Sequence, residues 1–263
     1  MEQLFVIKIG GNVIDHADAL KTFLKDFAAI DAPKILVHGG GKIATRLGER
    51  LGIVSQYVQG RRITDDATID LVTMVYGGLV NKQVVAALQA GGCNAIGLTG
   101  ADGNCIPAVK RPVKDIDYGW VGDVRASEVN AKGLTTIIEG GMVPVLAPLT
   151  HDGQGHILNT NADTIASSVA VALSGRYAVR LIYCFEKKGV LEDIDREDSV
   201  ISLINRESHA RLMKEGMLAD GIIPKIDNAF AAIDAGVREV LIGDARDLLP
   251  NVSGAVSGTL IVP

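Results

Sequence analysis

Aromatic side chains make up only 4% of this 263-residue chain, and cysteine occurs three times. So few aromatics argue against an aromatic-rich β-sandwich. Cys93, Cys105 and Cys184 are odd in number and show no C-x-x-C spacing, which argues against a disulfide framework or a structural zinc and fits a reducing compartment. Positive charge is not in excess: the net charge is −5, which disfavours a general nucleic-acid or membrane-surface protein but leaves small anionic substrates open. No apolar run reaches the ~18–20 residues that span a bilayer. Met1-Glu2-Gln3 leads straight into a strand pattern with no basic leader, so no secretory signal is expected and the cytoplasm is the expected location. His16, His38, His151, His156 and His209 lack metal-ligand spacing, and no G-x-S-x-G elbow occurs. Hydrolase and zinc-enzyme chemistry are disfavoured, and no metal ligands are expected. Internal repeats, low-complexity segments and Pro/Ser linkers are also missing.

Glycine, by contrast, is abundant at 30 residues, in a chain that is 48% hydrophobic and 22% charged. Short aliphatic runs alternate with helical patterns: strands at Leu4–Ile9, Ile35–His38, Ala95–Leu98, Val143–Ala147, Ala178–Phe185, Glu239–Ile242 and Thr259–Val262. Between them the pattern predicts helices over Ala17–Ile30, Lys42–Leu51, Ala131–Glu139, Asn161–Leu173, Asn205–Glu215 and Ile226–Ala235. Continuous apolar strands buried on both faces mark a parallel sheet covered by helices. Asp65–Gly77 and Leu79–Ala90 read as two helices broken near Gly77-Gly78. Residues 104–130 read as short antiparallel ribbons, 150–160 as a polar loop and Glu186–Ser199 as a charged loop. The expected division is two lobes of one sheet, 1–174 and 175–263, parting near Ser174-Gly175.

Two of these strands end in consecutive glycines followed by helical patterns: Gly10-Gly11, and Gly39-Gly40-Gly41-Lys42. Glycine lets the backbone pass close to a ligand, and a helix start offers unpaired N–H groups to an anion. Lys8 is the only charge in its run; alone it reads as a strand-end lysine reaching for water, while the adjacent glycines favour a phosphate contact. Lys42 does not complete a P-loop, because Leu36 stands where the first glycine belongs and Ile43 follows the lysine. Gly39-x-Gly41-x-x-Ala44 matches a dinucleotide fingerprint, but Gln59-Gly60 stands where the ribose-binding acid is expected. Arg61 and Arg62, before the cap-like Asp65-Asp66, read either as a solvated turn or as a fork for a substrate carboxylate. Asn159, Thr160, Asn161 and Asp163 gather at one helix start. Lys225 also opens a helix, behind Pro224, where a lysine opposes the dipole and a bound anion would explain it.

Seven blocks in order resemble the amino-acid kinase family, and within it the members that phosphorylate an N-acylated glutamate. They are Val6–Asn12, Val37–Gly41, Gly60–Thr64, Gly97–Gly103, Gly119–Val124, Asn159–Asp163 and Gly221–Lys225. The resemblance implies a three-layer αβα sandwich around a mainly parallel sheet, with acylglutamate bound by the first lobe and nucleotide by the second. It implies transfer of the ATP γ-phosphoryl group to the side-chain carboxylate, in arginine biosynthesis, with Mg²⁺ carried by the nucleotide. By the same resemblance Lys8 and Lys225 are catalytic and Asp163 orients them. Gly40, Gly41, Arg62 and Asn159 bind the amino acid; Gly10, Gly11, Glu186, Lys187, Gly189 and Lys225 bind nucleotide. The family's Thr-Asp-Val-x-Gly-Val-like turn is replaced by Phe185-Glu186-Lys187-Lys188-Gly189-Val190, which leaves the adenine and ribose contacts open. Arginine-inhibited members carry an extra N-terminal helix; only three residues precede the first strand here, so a homodimer without that feedback is expected. Ile69, Val72 and Met74 are candidates for its surface, against ordinary core packing. The alternatives are an N-succinylglutamate substrate, a NAD(P)-binding oxidoreductase built on Gly39–Ala44, and a non-catalytic sensor.

Overall fold

The computed structural model describes residues 1–193, 195–218 and 222–263; Gly221 of the last sequence block lies outside them. Its centre is an eight-stranded sheet. The strands in chain order are β1 (Gln3–Ile9), β2 (Lys34–His38), β3 (Ala95–Leu98), β4 (Val143–Leu146), β5 (Ala178–Phe185), β6 (Leu203–Ile204), β7 (Glu239–Asp244) and β8 (Thr259–Ile261). Their spatial order is β6-β8-β7-β5-β1-β2-β4-β3, and every pair is parallel except β7 with β8. β1 therefore sits mid-sheet, bridging strands from both halves of the chain.

Side-chain alternation along β1 assigns the two layers. Leu4 and Val6 join the core beneath the helices Ala162–Leu173 and Ile223–Asp234; Phe5, Ile7 and Ile9 join the opposite core, beneath Ala17–Ala28 and Asp66–Ala90. The result is the expected αβα sandwich. Lys8 has the parity of Leu4 and Val6, so its side chain must emerge beside the Ala162–Leu173 helix. In register, Ile9 pairs with His38 and Cys184. The carboxyl ends of β1, β2 and β5 thus open on one crevice, the usual ligand position of an open α/β sheet.

Three expectations are corrected. No break occurs at Gly77-Gly78: the helix runs on through a π-helical stretch, Thr73–Val80, into Asn81–Ala90. Two glycines relax side-chain crowding without ending a helix whose Val75, Tyr76 and Val80 are buried. The continuous Asp66–Ala90 segment has 25 residues and mean hydropathy 1.3, so by length and composition a bilayer-length apolar stretch does exist. Its Val72, Val84 and Leu88 are core residues of the sandwich. Second, 150–160 is not a plain loop but holds the antiparallel ribbon Leu149–His151/Ile157–Asn159. Third, Val72 is wholly buried and offers no surface, whereas Met74 and Leu79 are exposed. The helical pattern expected after Gly10-Gly11 begins at once, as the short helix Gly11–Asp15, whereas the short helix Leu248–Ser253 went unforeseen.

Candidate active site

Both glycine turns stand side by side at the crevice, since the Gly39 N–H donates to the Ile9 carbonyl at 3.1 Å. The helices that follow, Gly11–Asp15 and Gly41–Arg50, have no side-chain cap. Four others are capped by Asp65, Asn130, Asn161 and Asn205, while those beginning at Ala17, Ile223 and Leu248 also lack a side-chain cap. At the glycine turns, then, the first N–H groups stay free for an anion. Gly40 has φ +153°, and a Cβ there would stand 3.0 Å from the Tyr76 ring, so only glycine fits. Tyr76 itself is delivered by the π-helical stretch, a feature that clusters at functional sites.

Behind the turn lies His38, fully buried. Its Nδ1 donates to the Gly39 carbonyl at 2.7 Å, which fixes the tautomer and leaves Nε2 to accept from the Asn81 amide at 3.1 Å. Burial pushes its pKa down to about 4, opposed by the Gly39 bond and helped by the charge of Lys82. A neutral imidazole thus braces the anion turn.

Lys8 is buried, and its Nζ lies 2.8 Å from Asp163 Oδ1. Asp163 sits in the first turn of a helix whose cap, Asn161, accepts from the N–H groups of Asp163 and Thr164. Its Oδ1 accepts no aligned hydrogen bond among the described residues, so the contact with Lys8 is one of charge. Lys225 arrives from the Ile223–Asp234 helix. Its ammonium stands 3.8 Å from the Phe185 ring centroid, and that of Lys8 stands 5.3 Å from the same centroid. Two lysines more than two hundred residues apart in sequence are therefore neighbours across one ring. Burial depresses the Lys225 pKa; Asp163 works against that and Lys8 adds to it.

Three contiguous cavities meet here. The first, about 580 Å³, is lined by Gly40, Gly41, Arg62, Tyr76, Arg111, Asn159 and Asp163, among others. Arg62 is buried, its guanidinium donating to Ser55, to the Gly41 carbonyl at 2.8 Å and to Thr45 at 3.0 Å; all three partners are uncharged. Asn159 donates to Thr64 Oγ1 at 3.0 Å. The Trp120 N–H bonds the Thr64 carbonyl at 2.7 Å, with Gly119 at φ +71° because a Cβ would strike that same carbonyl. The 119–124 block is thereby explained as a cavity wall.

The second cavity, about 520 Å³, shares Gly39–Gly41 and Asp163 with the first and adds Lys8, Gly10, Gly11, Lys42, Glu186, Lys187 and Lys225. The third, about 380 Å³, continues past Phe185, Lys187, Gly189 and Lys225 into an apolar recess of Val190, Leu191, Met217, Leu218, Ile222 and Ile242. Every site residue expected from the sequence thus lines one connected crevice. Sequence reasoning missed Tyr76, Arg111, His38 with Asn81, and the apolar recess. Among the described residues no cluster of three His, Cys, Asp or Glu side chains could hold a metal. Gln59-Gly60, where a dinucleotide fold wants an acid, is the tip of the ribbon carrying Arg62.

Comparison with known proteins agrees with this geometry. The profile described as the amino acid kinase family matches residues 3–244. An acetylglutamate kinase of Cytophaga hutchinsonii is 56% identical over 95% of this chain and 94% of its own. That of Bacteroides thetaiotaomicron is 57% identical over 95% and 96%. Among solved structures, smu.665 from Streptococcus mutans superposes with TM-score 0.76 at 30% identity, covering 99% of this chain and 98% of that one. An N-acetylglutamate synthase from Neisseria gonorrhoeae shares the fold, with TM-score 0.82 and 22% identity; this chain is fully covered and spans 59% of that protein.

Proposed function

Because the chain belongs to the amino acid kinase family, we propose that it transfers the γ-phosphoryl group of ATP to the side-chain carboxylate of an N-acylated L-glutamate. N-acetyl-L-glutamate, for which its relatives are named, is the reference acid. The observation that carries this reading is the meeting of Lys8, Asp163 and Lys225 where the first two cavities join.

The chemistry asks for little beyond that. A glutamate side chain is already ionised at neutral pH, its ordinary pKa being about 4.3, so no general base is needed. A carboxylate oxygen bonds to the γ-phosphorus while the bond to the bridging β–γ oxygen breaks, and the electron pair leaves with ADP. The obstacle is repulsion between the carboxylate and the triphosphate, and positioned cations remove it. One ammonium about 4 Å from an oxyanion contributes about 4 kcal/mol at an effective dielectric near 20. Lys8 and Lys225 both serve the junction from the wall of the second cavity, with Asp163 holding the first and tempering the second. The uncapped N–H groups at Gly10-Gly11 and Gly40-Gly41 complete the cradle. Mg²⁺, carried on the nucleotide's phosphates, would add charge neutralisation there.

In this reading residues 1–174 bind the acid, through Gly40, Gly41, Arg62 and Asn159. Residues 175–263 bind the nucleotide with Glu186, Lys187 and Gly189, its base in the apolar recess. A homodimer seated on the exposed Met74 and Leu79 face, a role in arginine biosynthesis and a cytoplasmic setting consistent with three unpaired buried thiols belong to the same proposal.

The test is direct. An acyl phosphate is trapped by hydroxylamine as a hydroxamate, so product and ADP can be counted together. Lys8→Ala and Lys225→Ala are each expected to lower kcat by roughly 10²–10³, the scale of losing one preorganised donor. Near-normal turnover in both folded variants would refute the assignment.

A further inference from the structure

The first cavity holds more cationic machinery than an acetylated glutamate uses. Such a substrate has two carboxylates: one reacts at the lysine junction, the other matches Arg62, whose partners are all uncharged. Arg111 is left over. It stands at the end of the ribbon strand Val109–Lys110, and its N–H donates to the Val121 carbonyl at 2.7 Å. Val121 in turn bridges to Asn159, so the wall runs in order from Arg111 through Val121 to Asn159, which leads directly into the helix start that carries Asp163.

The side chain of Arg111 is mostly buried, and it forms cavity wall together with Asp123. Asp123 grips Nε at 3.1 and 3.2 Å and also accepts from Nη2. Nη1 is closed off from solvent and has no acceptor among the described residues. Burying a guanidinium N–H without an acceptor is costly, and each such case in a native fold calls for a reason. The charges lining the cavity are Arg61, Arg62 and Arg111 against Asp123 and Asp163, with Lys8 on Asp163, which leaves it electropositive.

We propose that Arg111, held in place by Asp123, takes a carboxylate at the acyl end of the substrate, so that the preferred acid is glutamate N-acylated by a dicarboxylic acid. An acetyl methyl gives the guanidinium nothing to bind. An acyl chain of two further carbons, passing Asn159 and ending in a carboxylate, supplies an acceptor suited to a planar fork. The inference rests on the kinase reading above and deepens it.

The experiment measures kcat/KM with N-acetyl- and N-succinylglutamate for the wild type, Arg111→Ala and Arg111→Lys. The wild type is expected to favour the succinyl acid. Arg111→Ala is expected to lower the succinyl-to-acetyl ratio by about 10- to 100-fold, the scale of a charge-assisted hydrogen bond. Arg111→Lys, which keeps the charge without the fork and serves if the alanine variant does not fold, is expected to lower it by less. Because the ratio compares two substrates on one preparation, a partly folded sample does not distort it. A wild-type preference for the acetyl acid, or a ratio unchanged by both substitutions, overturns the inference and leaves the kinase reading standing. Phosphorylation of neither acid by the folded wild type refutes that reading, and this inference with it.

Discussion

Replacing His38 with asparagine tests how the anion turn is braced. In the folded protein His38 is fully buried, and its pKa lies at about 4 against an ordinary 6.5. Above pH 6.5 the imidazole is neutral in both states and contributes no pH dependence. Between pH 6.5 and about 4 the unfolded chain takes up a proton that the folded chain refuses, so stability falls as pH falls. At about 1.4 kcal/mol per tenfold change in proton affinity, the full difference is about 3 kcal/mol. The geometry gives the reason. Nε2 accepts from the Asn81 amide, which also donates to the Val145 carbonyl at 2.9 Å. A proton on Nε2 would set two donors face to face, and turning the amide would abandon Val145 and bring it against the Lys82 ammonium, 3.1 Å from Asn81 Oδ1. His38→Asn keeps a donor near the Nδ1 position and cannot titrate. Urea unfolding of both proteins across pH 7 to 4 separates the slope from any constant packing loss in the variant. The wild type is expected to lose about 3 kcal/mol more than the variant over that range. Parallel slopes would show that His38 does not hold its neutral form against acid.

Two further outcomes follow from the same crevice. In the proposed reaction Lys225 acts as an ammonium, and burial lowers its pKa, so kcat/KM for ATP is expected to decline on the alkaline side at a lower pH than an ordinary lysine would give; Lys225→Arg, charged throughout, should turn over more slowly but move that limb upward, and coincident limbs would exclude Lys225 as the titrating group. Gly40→Ala places a Cβ 3.0 Å from the Tyr76 ring at φ +153° and is expected to cost about 1–3 kcal/mol in thermal or urea unfolding, with a raised KM for the acid. Tyr76→Leu in that background should restore little, since the backbone strain remains; a Gly40→Ala protein of normal stability and KM would contradict the strained turn.

What the sequence disclosed was whatever lies in short contiguous blocks. Lys8 before Gly10-Gly11, Lys225 behind Pro224 and Asp163 in its helix start each declare a local oddity, a charge in an apolar run or a cation at the wrong helix end, and their order along the chain supplied the resemblance. Even their meeting was half legible: alternation along β1 puts Lys8 with Leu4 and Val6 on the side of the Ala162–Leu173 helix. The parts that stayed hidden depend on tertiary register. Tyr76 reaches Gly40 only because the π-helical stretch adds its residue without a break, and Gly77-Gly78 reads locally as an ending. His38 and Asn81 share no pattern; they meet because the long helix, packed on β3 and β4, brings Asn81 against Val145 and the end of β2. The recess of Leu191, Met217, Leu218 and Ile222 draws on a loop and two helix ends, and no periodicity links them.

The way each helix begins carries a further signal. Asparagine or aspartate precedes the helices beginning at Asp66, Ala131, Ala162 and Arg206, and each side chain accepts from its own helix N-terminus. The helices at Gly11 and Gly41 begin after glycine and have no such acceptor. A missing cap costs stability, typically about 1 kcal/mol relative to Ser, Thr, Asn or Asp when the replacement is alanine, though only a few tenths when it is glycine. Glycine therefore leaves a helix start open at small expense; the helices beginning at Ala17, Ile223 and Leu248 also lack a side-chain cap, so what sets the two glycine starts apart is their place at the crevice. The same logic separates Lys42 from a P-loop lysine. It follows an uncapped start and donates to Asn12, a side chain just past the neighbouring glycine turn, so it ties the two glycine turns together.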